Sequence, residues 1–441
     1  MKTLITATLL ACVGMAAAEA TPSYDNRIDL IRADAPELAA PGPHAVGVRT
    51  LDVVNRDQID ILAVKEGAAL PNYDRPLKLE VWYPATGPKA LPGSQPYQDV
   101  LIRDGKTMVA LWGSAQRDAP VDASAGPYPL VLISHGYPGN RFLMSDLGEN
   151  LASKGYVTVA IDHTDSTYDN QAAFGSTLVN RPLDQLFVLN QIESLSHDPA
   201  SFLSGLVDTA HTGLIGYSMG GYGAVILAGG GVTEASTRLE WGAPAGTLKV
   251  HMAGTATHNA LPDARIKAVV AFAPWGRAAG FWDAAGLAGI KTPMLYIAGD
   301  QDDVAGYEDG TRKIFEEAVN SERYLLTFHG ANHNAGAPIP APVESWAPAA
   351  NLDFIPAEHY IDAVWDNVRM NNIAEHFTTA YFGALLKGDA SMTDYLTLVE
   401  DAQAGVIDRD AAGAPTAAHT YWKGFADRTA KGLSLEHRAA Q

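Results

Sequence analysis

The chain has 441 residues, with 50 acidic against 31 basic side chains, a net charge of −19 and one cysteine, Cys12. Such an acidic balance disfavours nucleic acid and anionic membranes as partners, and a lone cysteine excludes intrachain disulfides and thiolate metal clusters. The length suits one large α/β domain or two small ones, with enough core to be stable without cross-links.

Residues 1–20 read as a secretory signal peptide: Lys2, an uncharged apolar run from Leu4 to Ala18, then the small-x-small pattern Ala18-Glu19-Ala20. The run is too short and poorly flanked for a membrane span. Leu9-Leu10-Ala11-Cys12 offers the alternative of a lipoprotein acylated at Cys12. The expectation is therefore a secreted or periplasmic protein with no stable membrane insertion, residues 21–441 forming a single domain.

From residue 77 onward, apolar strand-like runs alternate with helical patterns, as in a mostly parallel sheet with helices on both faces. Leu77–Tyr83 alternates as a half-buried strand. The run Leu130-Val131-Leu132-Ile133-Ser134 is apolar throughout, as a strand buried on both faces must be. Helix is expected over Leu143–Lys154, with Gly155 as its stop, then strand over Tyr156–Ile161, helix near Leu183–Leu195 and strand over Thr212–Ile215. Helix over Gly221–Leu227 follows, then strands over Ile266–Phe272 and Pro293–Ile297, helix over Thr311–Val319, and a strand over Tyr324–Phe328. Three Pro-, Gly- or Ala-rich stretches break the rhythm, at 86–127, 229–262 and 335–356. The second follows the most informative helix and is expected to form a partial cap. Residues 357–441 are expected to be a helical C-terminal extension.

Gly216-Tyr217-Ser218-Met219-Gly220-Gly221 lies between an apolar strand and a helix, the context of a nucleophile elbow. Glycines flank the serine because the turn is too tight for side chains there, and the helix N-terminus favours developing negative charge. A serine hydroxyl needs a base to remove its proton. In this arrangement an acid and then a histidine follow in the chain. One strand runs into Asp300-Gln301-Asp302-Asp303 and the last into His329-Gly330-Ala331-Asn332-His333. Asp302 and His333 are the expected partners, with Asp300, Asp303 and His329 as local competitors. An oxyanion hole needs two backbone N–H groups. Met219 supplies one. The loop His135-Gly136-Tyr137-Pro138-Gly139 supplies the other, and since proline has no N–H, Tyr137 is the expected donor.

Ser134-His135-Gly136, Arg141, Lys154-Gly155-Tyr156, Asp162-His163, Trp82-Tyr83-Pro84 and Gly330-Ala331-Asn332-His333 resemble platelet-activating-factor acetylhydrolase and dienelactone-hydrolase-like esterases. The resemblance runs from about residue 75 to 335 and implies an α/β-hydrolase-fold serine carboxylesterase acting on small acyl esters. Position 218 is serine where true dienelactone hydrolases use cysteine, so lactone chemistry does not carry over. Gly136-Tyr137, Ser218-Met219-Gly220-Gly221 and Pro274-Trp275 also resemble cutinase-like polyester hydrolases. By that likeness Tyr137, Met219 and Trp275 line the acyl site.

Together these readings predict a secreted serine esterase on small or short-acyl esters, working through an acyl-enzyme and needing no cofactor. Polyester or phospholipid-acetyl hydrolysis, peptidase or amidase action, and a catalytically dead binding protein are the alternatives. His163 with Asp162 and Asp165 is the one set with metal-ligating chemistry, and no metal is expected there.

Overall fold

The computed structural model describes Ser23 and residues 25–441. The signal-peptide reading and Cys12 lie outside the described residues. The early strands are β1 (Ala45–Ile59), β2 (Asn72–Ala85), β3 (Gln95–Leu101), β4 (Met108–Gly113) and β5 (Gln116–Arg117). The doubly wound part follows as β6 (Tyr128–Ser134), α1 (Ser145–Ser153), β7 (Val157–Asp162), α2 (Phe174–His197), β8 (Val207–Tyr217) and α3 (Met219–Leu227). Then come α4 (Ala256–Asn259), β9 (Ile266–Phe272), α5 (Ala284–Leu287), β10 (Met294–Gly299), α6 (Arg312–Glu317) and β11 (Arg323–Phe328), with α7 (Asn367–Leu386) and β12 (Leu433–Arg438) last.

Among the described residues, ten strands form one sheet in the order β12-β11-β10-β9-β8-β6-β7-β2-β1-β5. The six strands from β11 to β7 pair in parallel, while β12, β2 and β1 join antiparallel. Side-chain alternation explains the unbroken apolar runs. In β6, Leu130 and Leu132 enter the core shared with α2 and α3, and Val131 and Ile133 enter the opposite core shared with α1 and α7. Ser134, Tyr217, Gly299 and Phe328 all end strands at one edge of this parallel block. That carboxyl edge is where α/β sheets place their ligand sites.

Several expectations change. The helix expected near Leu183 begins nine residues earlier, at Phe174, and contains Pro182. Proline cannot bond the carbonyl of Leu178, and the Tyr222 hydroxyl donates to that oxygen instead at 3.2 Å. The stretch 86–127 holds the β3–β4 hairpin rather than loop alone. The C-terminal extension is not purely helical: α7 packs into the core beside α1, and β12 extends the sheet against β11. Segment 229–262 packs against α2, with His251 Nε2 donating to the Val179 carbonyl at 2.7 Å and Leu248 buried. Its residues are absent from the lining of the cavity at Ser218.

Candidate active site

Ser218 sits between β8 and α3 with φ 54° and ψ −111°, left-handed backbone that costs a non-glycine residue about 1–3 kcal/mol. Three hydrogen bonds hold it there. Ser218 N–H donates to Phe272 at 2.9 Å, and the Ser218 carbonyl accepts from Tyr222 at 2.9 Å and Trp275 at 3.2 Å. The flanking glycines are required by space: a Cβ on Gly216 would lie 2.3 Å from the Gly220 carbonyl oxygen, and one on Gly220 only 1.9 Å from that of Ser134.

The ends of β10 and β11 bring the other two side chains to this serine. Ser218 Oγ lies 3.0 Å from His333 Nε2, and His333 Nδ1 lies 2.9 and 3.0 Å from the Asp302 carboxylate oxygens. An ionised Asp302 fixes the tautomer: Nδ1–H donates to the carboxylate, leaving Nε2 to accept from the serine hydroxyl. Burial works to raise the Asp302 pKa. The His333 hydrogen bond and charge and the amides of Ala305 and Val304 outweigh it and hold the carboxyl below its usual range. Tyr217 packs its ring on the imidazole at 5.2 Å and donates its hydroxyl to Asn334 at 2.8 Å, steadying the histidine loop.

The competing residues have other partners. Asp300 accepts from His329 Nδ1 at 2.9 Å and the Gly330 amide at 2.7 Å, so it shapes the loop that carries His333. Asp303 is exposed at the cavity rim. Of the metal-type set, His163 bonds Ser134 and Asp184, Asp162 bonds Arg141, and Asp165 bonds Arg75 and Ser176. These three do not converge on one point of coordination.

Neither the Met219 nor the Tyr137 amide donates to a protein acceptor among the described residues. The Tyr137 N–H belongs to the same peptide as the Gly136 carbonyl, and that carbonyl is held from two sides. Arg181 Nη2 donates to it at 2.8 Å and His135 Nδ1 at 2.7 Å. The His163 amide donates to His135 Nε2 at 3.3 Å, which keeps the proton on Nδ1. Burial foremost, then the charge of Arg181, pushes the His135 pKa well down, so its ring stays neutral. A trans peptide points its N–H opposite its carbonyl. Arg181 and His135 thus fix which way the Tyr137 amide faces, beside a Gly136 whose Cβ position is 3.4 Å from that of Ser218.

A cavity of about 300 Å³ opens at the serine, lined by Tyr137, Ser218 and His333, and also by Arg103, Phe354 and His359. The last three escaped the sequence reading. Arg103 comes from the β3–β4 turn and stacks on Phe354 at 5.1 Å, while Asn351 donates to the Asp104 carbonyl at 2.9 Å. Hairpin turn and the segment around residue 354 therefore meet at the cleft and line it together. Burial foremost, then the charges of Arg103 and His333, drives the His359 pKa down to about 3, so this second histidine is neutral. Trp275 stands off the cavity lining. It lies in an aromatic cluster with Phe174 at 5.4 Å, Phe281 at 5.2 Å and the exposed Trp241 at 6.4 Å, and Phe174 in turn meets Tyr137 at 5.1 Å.

A family model described as PETase, PET hydrolase-like, matches residues 102–241. Cutinase est1 of Thermobifida alba is 26% identical over 209 residues, covering 47% of this chain and 54% of the relative. Cutinase 2 of Thermobifida cellulosilytica matches at the same 26%, over 61% of its own length. The chain thus spans about half the length of the curated relatives it matches. The solved structure of a ferulic acid esterase from Streptomyces cinnamoneus superposes with TM-score 0.53 at 21% identity, over 80% of this chain and 94% of its own. With the strand order above, that likeness establishes the α/β-hydrolase fold, and the sequence matches fall on the cutinase-like side of the two resemblances. No helix among the described residues is long and apolar enough to cross a membrane.

Proposed function

We propose that this α/β-hydrolase-fold chain is a serine carboxylic ester hydrolase acting on small esters through an acyl-enzyme. The observation that supports it most is the His333 imidazole standing between Ser218 Oγ and Asp302, at 3.0 and 2.9 Å, beside a cavity that admits a ligand. In this reading His333 takes the hydroxyl proton as Ser218 attacks the ester carbonyl. The Met219 and Tyr137 amides stabilise the oxyanion. His333 then returns the proton to the leaving alkoxide and activates the water that releases the acid. Asp302 holds the imidazole upright and offsets its charge.

A cavity of about 300 Å³ is at the low end for ligand sites and favours small esters. A polyester reading draws support from the PET hydrolase-like match and from exposed Trp241 beside Phe174 and Trp275. Comparing release of acid from a polyester film with turnover of a short soluble ester separates the two. Export rests on the pattern of residues 1–20, and N-terminal sequencing of protein recovered outside the cytoplasm tests it.

The decisive experiment is labelling with a fluorophosphonate alongside hydrolysis of p-nitrophenyl acetate. Label is expected on Ser218, with Ser218→Ala losing both label and turnover. Normal hydrolysis by that variant refutes the assignment, and faster turnover of an aminoacyl anilide than of the matched ester moves it to the amidases.

A further inference from the structure

Arg103 is the one cavity-lining residue with a fixed positive charge, and among the described residues its guanidinium makes no hydrogen bond and no ion pair. Its stacking on Phe354 leaves the five N–H donors unused. What sets this half-buried arginine apart is that it has neither a carboxylate nor a carbonyl: Arg181, Arg323 and Arg369 lack a carboxylate too, but each donates to backbone carbonyls. Arg75, Arg141, Arg277 and Arg312 all have carboxylate partners. Around Arg103, burial is the largest influence and lowers its pKa. The groups that offset this are the phenols of Tyr168, Tyr360 and Tyr137, none of them an anion at neutral pH.

Two carboxylates, Asp303 and Glu358, line the same cavity, both on exposed residues. Glu358 already accepts the Ile355 amide at 3.2 Å, and neither forms an ion pair with Arg103. The arginine also stands on a fixed turn. Asn140 donates to the Leu101 carbonyl at 2.9 Å on one side of it, and Asp104 accepts the amides of Lys106 and Thr107 at 3.0 and 2.9 Å on the other. A half-buried cation whose donors meet no protein acceptor is free to take an anion that enters the cavity.

We propose that the site selects esters bearing a free carboxylate, half-esters of dicarboxylic acids or esters of hydroxyacids, with Arg103 receiving that carboxylate. This refinement rests on the serine-esterase reading above. The planar guanidinium suits a two-pronged grip on a carboxylate, and the neutral His359 beside it adds no competing charge.

The test compares kcat/KM at pH 7.5 for two matched pairs: monomethyl against dimethyl adipate, and 4-acetoxybenzoate against its methyl ester. One pair puts the charge on the acyl side, the other on the leaving group. The wild type is expected to favour the anionic member of at least one pair by about ten- to hundredfold, the scale of a charge-assisted bidentate contact. In Arg103→Gln that ratio should fall to about one, chiefly through KM, and Arg103→Lys should keep part of it. A ratio near one in the wild type for both pairs, or one that survives Arg103→Gln, overturns the carboxylate proposal while leaving the esterase standing. If all four esters are inert and the fluorophosphonate leaves Ser218 unlabelled, the esterase reading itself falls, and this proposal with it.

Discussion

Among the described residues, two serine–histidine–aspartate lines run through this molecule, about equally well formed. In one, Ser218 Oγ, His333 and Asp302 are joined at 3.0 and 2.9 Å. In the other, Ser134 Oγ meets His163 Nε2 at 2.8 Å and His163 Nδ1 meets Asp184 at 2.9 Å. Proton positions follow the same logic in both, since a carboxylate on Nδ1 leaves Nε2 to accept from the hydroxyl. What separates them is surroundings. Ser134, His163 and Asp184 are fully buried, whereas Ser218 and His333 line a cavity. Asp184 is also claimed by the buried Arg75 at 2.8 and 2.9 Å, and Arg181 lies next to Ser134. Burial first, then the charge of Arg181, drives the His163 pKa down to about 3. An imidazole so resistant to protonation is a poor general base. Relay geometry is therefore common to a framework and a candidate catalytic line; access to a cavity marks the candidate line, and resistance of His163 to protonation marks the framework.

Removing each serine tests that contrast most strongly. Ser218→Ala is expected to lower ester turnover by about four to six orders of magnitude with Tm unchanged. Ser134→Ala should keep turnover within a few-fold and instead lose about 1–3 kcal/mol of stability, because His163 Nε2 is left without a donor in a dry site. Thermal melts and p-nitrophenyl acetate rates on the pair read both quantities, and a large rate loss in Ser134→Ala would erase the distinction. The aspartates should split the same way. Asp302→Asn lowers kcat by about 10⁴ through the wrong histidine tautomer. Asp184→Asn takes the two-pronged carboxylate from the buried Arg75, which keeps only Asp165 at 3.0 Å, and costs about 3 kcal/mol, seen as a fall in Tm larger than any loss of turnover per folded molecule.

The candidate catalytic line was legible in the sequence because each member sits a few residues past a strand, and parallel strand order carries strand ends to one edge. Gly216 to Gly221 and the Asp300 and His329 segments needed no long-range knowledge beyond that. The competitors Asp300 and His329 turned out to pair with each other at 2.9 Å, an outcome that depends on two loops meeting and leaves no trace in either segment. Arg103 and Phe354 were illegible for the same reason: they lie 251 residues apart and touch only because the β3–β4 turn and the 335–356 stretch meet at the cleft. The cap was therefore sought in 229–262, a segment that folds against α2 instead. Pro182 hid the first two turns of α2, since only a distant tyrosine hydroxyl makes its missing hydrogen bond good. The strand β12 escaped because its alternation, with Leu433 and Leu435 inward, is brief and charged outward.

Arg181 ties the buried line to the loop of the candidate oxyanion hole, and substitutions there sharpen the comparison further. Arg181 packs between Ser134, His135 and Ser166 and grips the Gly136 carbonyl at 2.8 Å. If it positions the Tyr137 amide, Arg181→Gln should reduce kcat about ten- to hundredfold with KM within threefold, a fraction of the loss from deleting an oxyanion donor outright. A Lys at 181 should recover part of that kcat. A purely structural role predicts instead that Tm falls while kcat per folded molecule holds.

The smallest expected effect is in acid. His163 has a folded pKa of about 3 against an ordinary value of 6.5. Between those limits the unfolded chain binds a proton at this side chain that the folded protein refuses. Stability from this residue is therefore complete above about pH 6.5 and drains away as pH falls toward 3. Each pH unit inside that window costs up to about 1.4 kcal/mol per proton. His163→Gln cannot take up that proton in either state. Its stability should start lower at pH 7, through weaker bonds to Ser134 and Asp184, yet decline less steeply between pH 6 and 4. Urea midpoints for both proteins across that range measure the two slopes. Parallel slopes would mean that His163 is protonated in the folded protein well above pH 3, and the buried line would then differ from the candidate catalytic one by access alone.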